Sequence, residues 1–164
     1  MALGTPYRLP PGVRIGHVHL AVADLARAEA FYCDVLGFTV MLRWPGAIFI
    51  SEGSYHHLIG LNTWETAGAP PPPPGHTGLY HLAILFPDRP SLAGCLTRVR
   101  AAGVELEGAS DHGVSEAIYL RDPDGNGIEL YRDRPPAEWP RRENGELVMF
   151  TRRLDLDALL AEAP

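Results

Sequence analysis

Positive charge is in short supply: 14 lysine and arginine residues stand against 20 aspartates and glutamates, a formal net charge of −6. Proteins that track nucleic-acid phosphates usually carry a basic patch or stripe, so a nucleic-acid partner is not expected. Cysteine is scarcer still. Cys33 and Cys95 both fall in helical-looking segments, which excludes a disulfide framework and reads as two small buried hydrophobes. Long apolar runs are missing too: no stretch approaches the roughly 18 residues of a membrane span, and MALGTPYRLPPGVRIGHVHL has no signal-peptide core. A cytoplasmic chain without a membrane partner is the expectation. What remains is an ordinary globular balance, 46 % hydrophobic and 21 % charged, in a chain long enough for a real core and suited to a small-molecule partner.

The chain reads twice through one pattern. RIGHVHLAVADL is a strand candidate ending at Asp24, a good helix N-cap; Leu25, Ala28, Tyr32 and Val35 then recur at helical spacing, and Gly37 supplies the stop. FTVMLRW, AIFISEG and YHHLIGLNTW follow as strands. A proline tract over 69–75 interrupts, because proline lacks an amide donor and favours an extended spacer. GLYHLAILF restarts the pattern, Leu92, Leu96, Val99 and Ala102 give a second helix before Gly103, and VELEG, SEAIYLRD and NGIELY complete it, with DPDGNG as the last hairpin turn. The expected fold class is α+β: paired βαβββ modules, about 13–65 and 78–133, forming a curved mixed sheet within one domain over 1–133. Residues 134–164 read as a tail with a short helix capped by Asp155 or Asp157, packed on the body or on a neighbouring subunit.

GIELY, at 127–131, raises a chemical question, because Glu129 sits between Ile128 and Leu130 in an apolar strand. A covered carboxylate is costly unless a cation or donors compensate. Among seven histidines, His17 and His81 occupy corresponding first strands of the two modules, 64 positions apart. If the modules face each other, two imidazoles and one carboxylate converge. Such a set leaves coordination positions open on an ion such as Fe(II), whereas a structural zinc site is usually closed by four ligands rich in cysteine. His19, on the same strand face as His17, competes for its role.

The stretches GHVHLAVADLARAEAFYCDVLGF, GLYHLAILF and DHGVSEAIYLRDPDGNGIELY resemble the vicinal oxygen chelate (glyoxalase/bleomycin resistance/dioxygenase) superfamily, and specifically the type I extradiol ring-cleaving dioxygenases, over residues 13–133. The resemblance implies metal ligands at His17, His81 and Glu129. It further implies catalytic roles for His112, before GVS, and for Tyr119, ten residues before the glutamate. A further acid-base histidine is expected in YHHLIGL, where His57 is favoured over His56. Glyoxalase-like members place a fourth, carboxylate ligand where this chain has Gly60, which favours a three-ligand site.

The expected activity is therefore Fe(II)-dependent cleavage of a catechol-like aromatic diol with O2, an oxidoreductase of aromatic catabolism. His57 and His112 would move protons and Tyr119 would hydrogen-bond a substrate oxygen. The rivals are a fosfomycin-type thiol transferase using Mn(II), a glyoxalase-like isomerase, and a metal-free binding protein of the bleomycin-resistance kind. Trp44, Phe49 and Trp64 are candidates to line an aromatic cleft. Superfamily members commonly pair, so a homodimer is the expected assembly, although no pattern in the chain fixes a symmetry.

Overall fold

The computed structural model describes residues 7–164; the first six, where the expected domain begins and where no signal peptide is expected, lie outside the described residues. The first module runs β1 (Val18–Ala21), α1 (Leu25–Glu29), β2 (Thr39–Trp44), β3 (Ala47–Ser51) and β4 (Ile59–Asn62). Asp24 caps α1 as expected, its Oδ1 accepting from the Arg27 amide at 3.0 Å. The helix does not stay α-helical. From Ala30 to Val35 it widens into π-helical turns, with the Leu36 amide donating to the Phe31 carbonyl five residues back at 3.1 Å. Residue spacing alone does not distinguish the two, because apolar positions look alike until the hydrogen bonds slip by one residue. Gly37, at φ 92°, ends the segment in the left-handed region.

The second module repeats the order with β5 (Leu82–Phe86), α2 (Arg89–Ala101), β6 (Leu106–Asp111), β7 (Ser115–Arg121) and β8 (Gly127–Asp133). Asp88 caps α2 by accepting from the Ser91 amide at 2.8 Å. The paired βαβββ modules are present as two mixed sheets, ordered β1-β4-β3-β2 and β5-β8-β7-β6, the second extended past β6 by a strand from the tail. In each, the first strand runs parallel to its neighbour and the other core pairings are antiparallel. The last strand, β9 (Arg152–Arg153), and α3 (Leu156–Leu160) come from the tail, which packs on the body: Leu154 and Leu159 are buried. Asp155 is the cap of α3, taking the amides of Asp157 and Ala158.

Strand alternation decides what each sheet face does. Leu20, Ile48, Ile50, Ile59 and Leu61 of the first sheet, and Leu82, Ile118, Leu120, Ile128 and Leu130 of the second, join Ala28, Tyr32, Leu92 and Leu96 of the helices in one buried cluster. The modules therefore meet through their helix-covered faces. Side chains of Arg98, Arg27 and Tyr32 help latch them. Arg98 donates through Nε to the Val35 carbonyl at 2.9 Å, Arg27 binds Asp124 at 2.6 Å, and the buried Tyr32 hydroxyl donates to Asp122 at 2.9 Å.

Burial, and then the Asp122 carboxylate, push the Tyr32 phenol far above its ordinary value. A pKa raised in the folded state contributes stability that is fully present below the unfolded value near 10 and is lost as pH rises past it. Tyr32→Phe is expected to cost about 1.5–3 kcal/mol, the range for hydrogen bonds to charged groups, read as a lower urea midpoint at pH 7. No change in midpoint would show that the turn and helix do not hold each other.

Neither cysteine is paired, and burial raises both thiols, Cys95 to about 11. A charge cluster absent from the sequence reading lies inside the second module. Glu116, only 5 % exposed, takes Arg89 Nε at 2.9 Å, Arg132 Nε at 3.0 Å and Arg134 Nη2 at 3.2 Å. No helix among the described residues is long and apolar enough to cross a membrane.

Candidate active site

The faces turned away from the helices carry the candidate residues, in two groups. On the second sheet, the register sets Ala83 beside Glu129 and Tyr119 opposite it, so residues at even offsets from these share the uncovered face. His81, two residues before Ala83, places Nε2 2.8 Å from Glu129 Oε2. Tyr119 Oη lies 3.3 Å from Glu129 Oε1 and 2.8 Å from His112 Nε2. Burial, and then Glu129, push the Tyr119 hydroxyl up to about 12, so at neutral pH it is a proton donor. His81, Glu129, Tyr119 and His112 thus form one connected polar chain.

Two supports of this chain escaped the sequence reading. Gly127 stands beside the residues just before β5, where any Cβ would come within 2.2 Å of the Tyr80 carbonyl and 3.0 Å of His81 Cβ. Its lack of a side chain is what lets His81 approach Glu129. The other is the Phe150 carbonyl in the tail, 3.0 Å from His112 Nδ1. A carbonyl only accepts, so it assigns the proton to Nδ1 and leaves Nε2 of the neutral ring to accept from Tyr119. The DPDGNG motif signalled a turn but not the contact after it, and a partner 38 residues away leaves no local signal.

On the first sheet, His17, just before β1, lies with its ring 4.4 Å from that of His57, which packs on Phe49 at 5.2 Å. His57, rather than the exposed His56, faces His17. Burial, and then His17, hold the His57 imidazole below the ordinary histidine value. His19 is drawn elsewhere, with its ring 5.8 Å from Phe49 and 5.4 Å from Trp64. Gly60 is its register partner, and a Cβ there would stand 3.0 Å from the His19 ring. The position holds glycine because the imidazole lies across it. Trp44 and Trp64 are 61 % and 57 % exposed, so Trp64 and Phe49 belong to an open aromatic surface rather than to the core.

Within one chain the two groups stay apart. Among the described residues, no three or more histidine, cysteine, aspartate or glutamate side chains lie so that they could hold one metal ion. His81 and Glu129 make a two-donor half, and His17 belongs to the other sheet. Moreover, His81 Nδ1 is buried without a partner among the described residues, whereas a ligating imidazole normally gives its second ring N–H to a carbonyl or carboxylate. One chain therefore does not by itself fit the expected ion. An open depression of about 380 Å³ lies against Tyr80, His81, Tyr119 and Gly127. A larger one, about 850 Å³, lies against Arg100, Arg153 and Asp157, away from every candidate residue.

Residues 14–130 match the family described as Glyoxalase/Bleomycin resistance protein/Dioxygenase superfamily. The chain belongs to this superfamily. It is 42 % identical over 149 residues to catechol-2,3-dioxygenase of Bacillus subtilis (strain 168), a match covering 91 % of this chain and 52 % of that protein. It is 34 % identical over 120 residues to biphenyl-2,3-diol 1,2-dioxygenase 3 of Rhodococcus globerulus, covering 73 % of this chain and 63 % of that one. The chain thus spans between half and two-thirds of the length of these two relatives. Among solved structures, lactoylglutathione lyase from Agrobacterium tumefaciens superposes with a TM-score of 0.57 at 28 % identity, covering 75 % of this chain and 96 % of that one. Proteins similar to this chain thus include dioxygenases and a lyase.

Proposed function

We propose that the chain is a metal-dependent dioxygenase that opens a catechol-like aromatic diol with O2, with His17, His81 and Glu129 as metal ligands and Fe(II) as the ion. The observation that carries this reading is the connected run His112–Tyr119–Glu129–His81: a proton path ending on a candidate ligand pair, on an uncovered sheet face. The similarity to catechol and biphenyl-diol dioxygenases supports the same chemistry.

The protein groups divide the work by what they can donate. Tyr119 has one hydroxyl proton and two neighbouring acceptors, His112 Nε2 and Glu129 Oε1. With His112 neutral, that proton goes to Nε2. Protonation of His112 reverses the bond, so that Nε2 donates to the tyrosine oxygen and frees its proton for Glu129 or for a diol oxygen in the depression. His112 is thereby the proton reservoir and Tyr119 the delivering group. His57 is the acid-base candidate on the other half, kept neutral more readily than an ordinary histidine. Phe49 and Trp64 offer aromatic faces on which a flat diol ring can stack.

Anaerobic loading with Fe(II), followed by catechol and then oxygen, tests the assignment. The expected result is oxygen uptake and a yellow ring-opened product. Stable metal binding without oxygen uptake across a panel of catechols would move the chain to the transferase or isomerase branches of the superfamily.

A further inference from the structure

The proton path from Glu129 through Tyr119 reaches His112, and the far side of that ring meets the tail. Its Nδ1 lies 3.0 Å from the Phe150 carbonyl and 3.3 Å from the Thr151 hydroxyl oxygen. Thr151 is exposed, whereas His112 is half-buried. We propose that Thr151 is a positioning residue acting through His112, its hydroxyl passing protons between Nδ1 and solvent so that the ring can take or give a proton at Nε2. The inference rests on the proton path assigned above and adds the end of it that meets water.

The chemistry of the two tail neighbours is the first support. A neutral imidazole has one N–H and one bare nitrogen, and the Phe150 carbonyl, which only accepts, serves the ring solely when Nδ1 carries the proton. A hydroxyl donates as well as accepts. Thr151 can therefore pair with Nδ1 in either form, and the ring can change form without stranding a half-buried nitrogen.

Access is the second. Among the described residues the ring nitrogens of His112 meet Tyr119, Phe150 and Thr151. Tyr119 leads inward to Glu129, and a carbonyl has no proton to pass on. The carboxylate next in sequence, Asp111, is occupied by the Gly113 amide and by Arg134. The exposed hydroxyl is the route left.

The third is that the tail is fastened on both sides of Thr151. The Phe150 amide donates to the His112 carbonyl at 3.3 Å, Arg152 and Arg153 pair with Asp111 and Ser110, and the Leu154 amide donates to the Ala109 carbonyl at 3.2 Å. The Phe150 ring lies over Gly113, at φ 79°, where a Cβ would come within 2.6 Å of it. Thr151 is thus held against the imidazole.

The transfers balance. As a diol binds, its hydroxyl proton passes to the Tyr119 oxygen, the Tyr119 proton to Nε2 and the Nδ1 proton to Thr151, whose own proton leaves to water. The hydroxyl, turned round, then donates to the bare Nδ1. After the ring opens each transfer runs backward, and Tyr119 returns the proton to an oxygen of the product. No proton is gained or lost over the cycle.

Nitrogen NMR of the metal-free, isotope-labelled chain tests this, with the His112 signals assigned by their loss in His112→Gln. Exchange of the Nδ1 proton with water should slow about a hundredfold in Thr151→Val, the lower end of what a placed proton-transfer group contributes, and recover in Thr151→Ser. Recovery by serine, which keeps the hydroxyl and drops the methyl group, separates a relay from packing. Exchange as fast in the valine variant as in the parent, or as slow in the serine variant as in the valine one, would overturn the proposal.

In the Fe(II)-loaded chain, oxygen uptake at saturating catechol should fall by about the same factor in Thr151→Val, with KM little changed. The two readouts separate this inference from the activity proposed above. Slowed ring exchange with no oxygen uptake by any variant keeps the relay and removes the oxygenase, whereas an unchanged kcat in Thr151→Val keeps the oxygenase and removes the relay.

Discussion

Replacing Glu116 with alanine is expected to destabilise the folded chain by about 3–5 kcal/mol, the range seen when one partner of a buried ion pair is removed. Its carboxylate meets three guanidinium groups and its side chain is 6 % exposed, while Arg89, Arg132 and Arg134 keep side-chain exposures of 21 %, 13 % and 24 %. Without the carboxylate, Arg132 loses its ion pair in a poorly hydrated place beside Arg89 and Arg134, which retain Glu162 and Asp111 but now face like charge where opposite charge attracted. For a chain of this size the loss corresponds to a melting temperature lower by roughly 10 °C. Urea unfolding should show a lower midpoint with an unchanged slope. Glu116→Gln, which keeps the shape and one acceptor, should lose less. If both variants melt with the parent, the arginines are satisfied by water and the cluster is not structural.

Glu129→Ala is expected to do the opposite: leave the fold nearly intact and remove metal retention, lowering affinity by at least about a hundredfold, beyond the range measured for groups that only support a ligand. The side chain is on the uncovered face, 13 % exposed, and its neighbours Ile128 and Leu130 keep their places in the core without it. Loss of the carboxylate also releases His81 and Tyr119, each of which has a polar atom aimed at it. The check is metal content after desalting, alongside thermal unfolding of the metal-free chain. Unchanged metal content would show that Glu129 is not a ligand. The two glutamates lie on adjacent strands of one sheet, yet one is expected to act on stability and the other on metal retention, because strand alternation turns them to different surroundings.

Much of this was legible in the chain. The repeat of β, α, β, β, β followed from period-two and helical spacing punctuated by Asp24, Gly37 and Gly103, all local signals with local causes. The group His81, Glu129, Tyr119 and His112 was also readable, His81 and Glu129 from their places in the repeat and Tyr119 and His112 from the family resemblance, and in the sheet β8 with Glu129 lies between β5, which His81 directly precedes, and β7, which carries Tyr119. What sequence could not supply was the orientation of one half against the other. The same alternating strands are compatible with modules meeting sheet to sheet or helix to helix, and the choice is made by contacts such as Tyr32 with Asp122, which lie 90 residues apart. For the same reason Glu116 escaped notice: its three cations come from α2, β8 and the segment beyond, and none is near it in sequence.

The five consecutive prolines from Pro70 to Pro74 acquire a consequence from this arrangement. A run of that kind holds its ends about 15 Å apart and bends reluctantly, at roughly 3.1 Å per residue. Rigid before folding as well as after, the exposed tract leaves the unfolded chain less freedom to surrender, and so contributes to the stability of a core it does not enter.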